Sequence, residues 1–343
     1  MTRLFIIALA VTVLNTMPIW LAELAEKSGI SDVAVGLLAS IVMLCSAVGC
    51  AIGADTRNKA LLRGAGIVAF GGITGAATLQ AISAAVLFAG AGGVGLALGI
   101  VLALPLSRSF TEAKVLQMIG NGMAIGCTAS FILLVVIHVA EWSLLTFLAL
   151  LSAIQVILLF RKMPAQNYCK RGRFNWKRDI SLLPFFICMG AYWAFLEVFS
   201  AEQDLGSLSA WLAASLLLSG LGSYLAGVVP KRLGLRAKLV GLLLAAFAGG
   251  LTYLSKTEFL VGMTILLNAF GLFLFFPLYL DRTDAPAAGM ARYLLCFALG
   301  GVIGSLAIAV GGYMALAAAV VFSGLIAVPS MTRRRPKTDI PEY

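Results

Sequence analysis

Long apolar runs, each about the length of a bilayer crossing, alternate with short polar intervals along the whole chain. The runs cover residues 4–22, 34–54, 64–80, 83–106, 115–138, 142–160, 181–199, 206–229, 238–254, 259–280, 288–309 and 311–330. A helix rises about 1.5 Å per residue, so roughly 20 apolar residues cross a hydrocarbon core about 30 Å thick. The pattern therefore predicts an all-α polytopic membrane protein with twelve transmembrane helices. Tight joints are expected on the outer side near Gln80, Glu141 and Gly311. The first run follows a single Arg3 and is too long for the apolar region of a cleaved signal peptide, so it is read as a span.

One interval differs from the rest. Residues 161–178, RKMPAQNYCKRGRFNWKR, carry seven Lys or Arg and no acid. Such a segment is expected to stay on the cytoplasmic side, because cationic loops are retained there. With this strap inside, twelve spans place 23 of the 25 basic residues on the inner side, leaving only Lys27 and Lys256 outside. A missed span would invert every later loop, so the charge distribution supports both the count and cytoplasmic N and C termini. The organisation expected is an N-terminal six-helix bundle over 1–160, a basic linker over 161–180, a C-terminal six-helix bundle over 181–332, and a cytoplasmic tail over 333–343. The expected location is the cytoplasmic (inner) membrane.

Composition narrows the function. Of 343 residues, 61% are hydrophobic and 12% charged, and the formal net charge is +10. That charge lies in the inner loops, which leaves no soluble basic face for nucleic acid. The six cysteines show neither metal-ligand nor disulfide spacing. No Walker pattern, HExxH or GxSxG occurs, so neither ATP hydrolysis nor a familiar intramembrane hydrolase is expected, and no cofactor. Glycine and alanine clusters such as GGITGAA at 71–77 and ALGGVIGS at 298–305 suit close helix packing in lipid.

Two cytoplasmic turns correspond. GCAIGADTRNKALLRG at 49–64 follows the second span and GVVPKRLGLRAK at 227–238 follows the eighth; Asp55 and Lys231 stand 176 residues apart, the offset that lays span seven on span one. The paired turns, the spans and the basic linker together resemble the major facilitator superfamily, whose loop between the second and third helices reads roughly GxLaDRxGRK with a weaker copy after the eighth. The first copy keeps Asp55 and Lys59 but has Ala51, Thr56 and Asn58 at other motif positions. The second keeps Gly227, Arg232, Gly234 and Arg236, with Lys231 in place of the acid. The resemblance implies two six-helix bundles working as a secondary transporter, and a conformational latch in which Asp55 pairs with Arg108, Arg292 or the amino end of span eleven. It also implies a cavity lined by the first, fourth, seventh and tenth helices. Signatures of proton-antiporting drug exporters are absent: Val86 stands where an Arg is expected, and Cys127 where a Pro is expected.

Within those spans Glu197 is the clearest carboxylate. Helical spacing sets it on one face with Phe186, Gly190 and Trp193. Two readings stand: a substrate or proton-coupling group in a cavity, or an acid snorkelling to the outer headgroups. Trp193, Tyr192 and Phe195 supply aromatic lining, and Thr12, Asn15, Thr264 and Asn268 supply polar groups that serve as ligands or as interhelical hydrogen bonds. His138, the only histidine, falls at the outer end of span five. The expected function is secondary transport, with efflux slightly favoured, of a small hydrophobic or modestly polar molecule by a monomer in the lipid bilayer, with protons as the candidate coupling ion. Uptake or facilitation is the alternative within the fold; a non-transporting sensor or assembly protein, or an intramembrane enzyme, is the alternative outside it.

Overall fold

The computed structural model describes residues 2–17, 19–20, 23–24, 29, 32–55, 59–78, 84–106, 112–140, 143–160, 180–205, 208–230, 232–281 and 286–332. Among these, eleven α-helices follow in order: α1 (Thr2–Asn15), α2 (Asp32–Asp55), α3 (Lys59–Thr78), α4 (Ala84–Leu106), α5 (Glu112–Ala140), α6 (Leu144–Phe160), α7 (Leu183–Glu202), α8 (Ser209–Val228), α9 (Gly234–Thr252), α10 (Glu258–Asp281) and α11 (Pro286–Thr332). Nine are long and apolar enough to cross a membrane; Leu4–Asn15 and Leu144–Phe160 are shorter apolar helices. The chain is a multi-pass membrane protein, and helices suit that setting because every backbone polar group is satisfied within its own segment.

The eleventh helix is 47 residues long and is broken where the backbone leaves the helical region, at Gly311 and Gly312. Gly312 has φ of +62°, a left-handed value that costs a residue with a side chain but not glycine. The joint expected near Gly311 is therefore a break between two helical arms, one for each of the two final apolar runs. The basic linker and the tail after Thr332 lie outside the described residues.

Each helix finds its neighbours through small residues. Serine and cysteine on α2 reach across to α4: Ser46 Oγ donates to the Gly95 carbonyl at 2.9 Å and Cys50 Sγ to the Gly99 carbonyl at 3.2 Å. This approach is possible because a Cβ on Gly99 would lie 2.1 Å from the Ser46 carbonyl oxygen. α1 packs on α5, with Gly122 and Gly126 against Ile7, Ala8 and Val11. α3 packs on α4 and α6.

The later helices repeat this list of partners. α8 packs on α10 as α2 does on α4, and α9 on α10 as α3 does on α4. The first arm of α11 packs on α7 through Gly300 and Gly304, as α5 does on α1. Its second arm packs on α9 through Gly324, as α6 does on α3. The first six helices meet the later ones mainly through α5 with α8 and α2 with α11.

The buried core divides by depth. One cluster joins Ile7, Ala10 and Val11 of α1, Ala47 and Cys50 of α2, Leu102 and Ala103 of α4, and Ile119, Met123 and Cys127 of α5 to buried residues of α7, α9, α10 and α11. A second cluster contains Val13, Met17, Trp20, Leu38, Val42, Leu87, Val94, Leu133 and Leu148, and takes no member from α7–α11 among the described residues. The members from α2 and α4 lie near the end of the bundle where α1 begins, and those from α1 and α5 extend from that end to mid-depth.

Candidate functional site

The α7 sequence LPFFICMGAYWAFLEVFSAE is apolar on every face up to Leu196, so over that stretch its faces are assigned by packing rather than by pattern. Near its start, Phe186 is fully buried, with ring centroids 5.1 Å from Tyr279 and 5.3 Å from Tyr293 in edge-on contacts. One turn on, Gly190 lies so close to α11 that a Cβ there would sit 2.4 Å from the Phe297 carbonyl oxygen. On the same face Trp193 is half-buried and Glu197 is exposed. The face expected from sequence exists, and it is packed at its beginning and open toward its end. Glu197 has no hydrogen bond or ion pair among the described residues.

Tyr192 points about 100° away from Trp193, as adjacent helical residues do, and enters the packing between α7, α9 and α10. Its hydroxyl lies 3.2 Å from Thr252 Oγ1, which in turn lies 3.0 Å from Thr264 Oγ1 and donates to the Ala248 carbonyl at 2.9 Å. The Tyr253 hydroxyl donates to the Tyr192 carbonyl at 2.5 Å. Next to this network, Asn268 is fully buried: Nδ2 donates to the Ala245 carbonyl at 2.7 Å, while Oδ1 has no protein partner.

On α1, Thr12 Oγ1 donates to the Ala8 carbonyl at 2.9 Å and, across the interface, to the Gly126 carbonyl at 3.2 Å. Asn15 Nδ2 donates to Cys127 Sγ at 3.4 Å. These bonds fasten α1 to α5 at mid-depth. Asn15 is half-buried and its Oδ1 is not among the buried unpartnered atoms.

Asp55 ends α2 and Lys59 begins α3, but their side chains, and all of Arg108, lie outside the described residues. Arg292 is half-buried in the first arm of α11, Arg232 is exposed, and Gly234 opens α9. The structure thus brings Trp193 and Glu197 onto one open face. It sets Tyr192, Thr264 and Asn268 together inside the later helices and sets Asn15 on α5.

Sequence reasoning did not single out three features. Thr252 is the hub of the buried network, yet it reads as an ordinary threonine near a helix end. Phe199, Tyr253 and Tyr313 form an aromatic trio, with centroids 4.9–5.5 Å apart, over the ends of α7, α9 and the second arm of α11. Glu23 accepts from Ser143 Oγ at 2.5 Å and from the Leu145 amide at 3.2 Å, capping the start of α6. An acid just after a span gives no sign that it caps a helix some 120 residues on. Among the described residues no group of three or more His, Cys, Asp or Glu could hold a metal ion.

Comparison with solved structures defines the class. The chain superposes on the human organic anion transporter MFSD10 (TETRAN) with a TM-score of 0.72 at 14% identity, covering 96% of this chain and 97% of that one. It superposes on FucP, a major facilitator superfamily transporter in the outward conformation, with a TM-score of 0.70 at 12% identity over 96% and 97% of the two chains. A variant of the E. coli fucose:proton symporter FucP gives 0.65 at 12% identity over 95% and 97%. The chain has the major facilitator superfamily fold. No family model and no curated protein matches it by sequence.

Proposed function

We propose that the chain is a secondary active transporter that moves a small hydrophobic or modestly polar organic molecule across the cytoplasmic membrane by alternating access. The observation that carries this reading is the transporter fold shared over nearly the full length of this chain and of its structural neighbours. Of those neighbours, one is named an organic anion transporter and another a fucose:proton symporter. The repeated list of helix partners supports two six-helix bundles related by an internal repeat, α1–α6 and α7–α11, the latter counted as six through the two arms of α11. The distribution of Lys and Arg supports cytoplasmic termini and a cytoplasmic linker.

In this reading the open face of α7 lines the substrate cavity, Trp193 offers an aromatic wall, and Glu197 is the proton-coupling carboxylate. An exposed acid among apolar residues of a spanning helix is costly against lipid and tolerable against a water-filled cleft. Asn15 presents a polar group from α1. Tyr192 and Asn268 act one layer behind, holding α9 and α10 in place. Asp55, Lys59, Arg108, Arg292, Arg232 and Gly234 form the cytoplasmic latch and its counterpart turn. Efflux is the favoured direction, since apolar and aromatic walls suit compounds that enter from the membrane or cytosol.

The test is flux in proteoliposomes against a panel of organic solutes, with and without a pH gradient, for the natural chain and Glu197→Gln. Substrate flux that responds to the gradient, with the response lost in Glu197→Gln, is expected. A gradient response that survives the substitution removes Glu197 from coupling. No flux of any solute counts against transport itself.

A further inference from the structure

We propose that the open face of α7 takes an organic cation, a protonated amine on an apolar body, and that Glu197, Trp193, Asn15 and the Leu14 carbonyl receive it. This assigns a substrate class to the site described above, and it rests on the transporter reading for the existence of that site and for which end faces out.

Glu197 is exposed and makes no hydrogen bond or ion pair among the described residues, so its charge is left to a ligand or to water. Trp193 stands one turn before it, and residues four apart on a helix have Cβ atoms about 5–6 Å from each other. The indole is half-buried and held edge-on by Tyr192, with ring centroids 5.3 Å apart. A carboxylate beside a fixed indole attracts a cation twice, through its own charge and through the negative face of the ring. Both groups repel an anion.

The α1 side adds acceptors. Asn15 Nδ2 is committed to Cys127 Sγ at 3.4 Å, which leaves Oδ1 as the free end of the amide; it is not buried and has no partner among the described residues. Residue 18 is proline, which has no N–H, so the Leu14 carbonyl lacks the donor that a continuous helix would bring to it. The two carbonyls before it are met by side chains, Thr12 by the Thr16 hydroxyl at 2.8 Å and Val13 by the Trp20 indole at 3.1 Å. Leu14 continues the face of Ile7 and Val11, which are buried in the cluster shared by the two halves, and is itself half-buried. Two oxygen acceptors are thus offered where α1 leaves that shared packing. A primary ammonium has three N–H donors for such groups. Calcium or magnesium would want six or more oxygen ligands, which three groups beside an indole do not supply.

The surrounding charge has the matching sign. Among the described residues every Lys or Arg except Lys256 lies in, or just before, the first two turns of a helix that starts on the inner side. Toward the other end Glu197, Glu202, Asp204 and Glu258 are exposed. An anionic solute would approach a mouth of its own sign, whereas a cationic one is attracted.

The experiment measures binding to the purified full chain in nonionic micelles by calorimetry, corrected for empty micelles. The probes are phenylalkyl compounds of increasing chain length, each as primary ammonium, trimethylammonium, alcohol and carboxylate. At least one primary ammonium is expected to bind about tenfold or more tighter than its alcohol, the worth of a charged hydrogen bond, with the carboxylate weaker still. Glu197→Gln should bring the ammonium down to the alcohol with the unfolding midpoint of the free protein unchanged. Asn15→Leu should weaken the primary ammonium several-fold and leave the trimethylammonium, which has no N–H, unaltered. The proposal is overturned by an ammonium no tighter than its alcohol at every length, by a tighter carboxylate, or by a preference that survives Glu197→Gln. Displacement of the ammonium by sodium chloride but not by equal potassium chloride marks a metal-ion site and overturns it too. Equal weakening of both ammonium forms by Asn15→Leu removes α1 from the site. If the preference is absent while another organic solute is carried in proteoliposomes, only the substrate class falls. If the ammonium binds as expected and no solute is carried, the transporter reading falls and the cation site stands.

Discussion

Replacing Gly99 with alanine tests how the small-residue contacts hold the bundle. The added methyl would lie 2.1 Å from the Ser46 carbonyl oxygen and 2.8 Å from the Cys50 amide nitrogen. Carbon and oxygen need more than 3 Å, so α2 and α4 must separate by about an ångström. Overpacking of this kind costs roughly 1–3 kcal/mol. Separation also stretches the bonds from Ser46 and Cys50 to α4, each worth about 0.6 kcal/mol in lipid. A loss of roughly 2–4 kcal/mol is therefore expected. Gly301→Ala is the matched control, because Gly301 is helical and nothing lies within 4 Å of a Cβ built there. Reversible unfolding in mixed micelles, followed by tryptophan fluorescence, should show Gly99→Ala markedly destabilised and Gly301→Ala unchanged or slightly more stable. Equal stability of the two variants would refute the inference that backbone approach at α2–α4 is a main source of cohesion.

Two further outcomes are expected. Thr252→Val removes the hydroxyl that links Tyr192 to Thr264 while keeping shape, and should cost about 1–2 kcal/mol, since it leaves a buried tyrosine hydroxyl short of a partner; near-ultraviolet dichroism should change with it, and an unaltered spectrum with full stability would show the network to be incidental. Asp55→Asn should lower transport several-fold with insertion and thermal stability preserved, measured as flux per folded molecule; undiminished flux would remove Asp55 from the latch.

Much of the architecture was legible because hydrocarbon length and loop charge are simple signals. The run at 34–54 became Asp32–Asp55 and the run at 115–138 became Glu112–Ala140, each within three residues. The run at 64–80 starts earlier, at Lys59, because Arg63 stays within the helix with its guanidinium 4.9 Å over the Phe160 ring of α6. The first run is described as a helix only to Asn15, followed by a turn in which Thr16 Oγ1 bonds back to the Thr12 carbonyl.

Side-chain direction was harder to read. Helices apolar on every side carry no stripe that tells lipid from cavity from core, so Asn268 and Tyr192 read as lining residues as readily as Trp193 did. Only the approach of α9, through Thr252 and the Ala245 carbonyl, distinguishes them. The Glu197 face was recoverable because a single charged group marks it.

The glycine break in α11 divides mechanical duties. Its first arm leans on α7 and carries Tyr293 and Phe297 into the aromatic packing around Phe186; its second leans on α9, with Tyr313 stacked on Tyr253 at 5.5 Å. Because only Gly311 and Gly312 join them, torque on one arm is not passed along a continuous rod to the other. A bend between the arms can therefore be absorbed at two residues without unstacking the tyrosines that brace the far side.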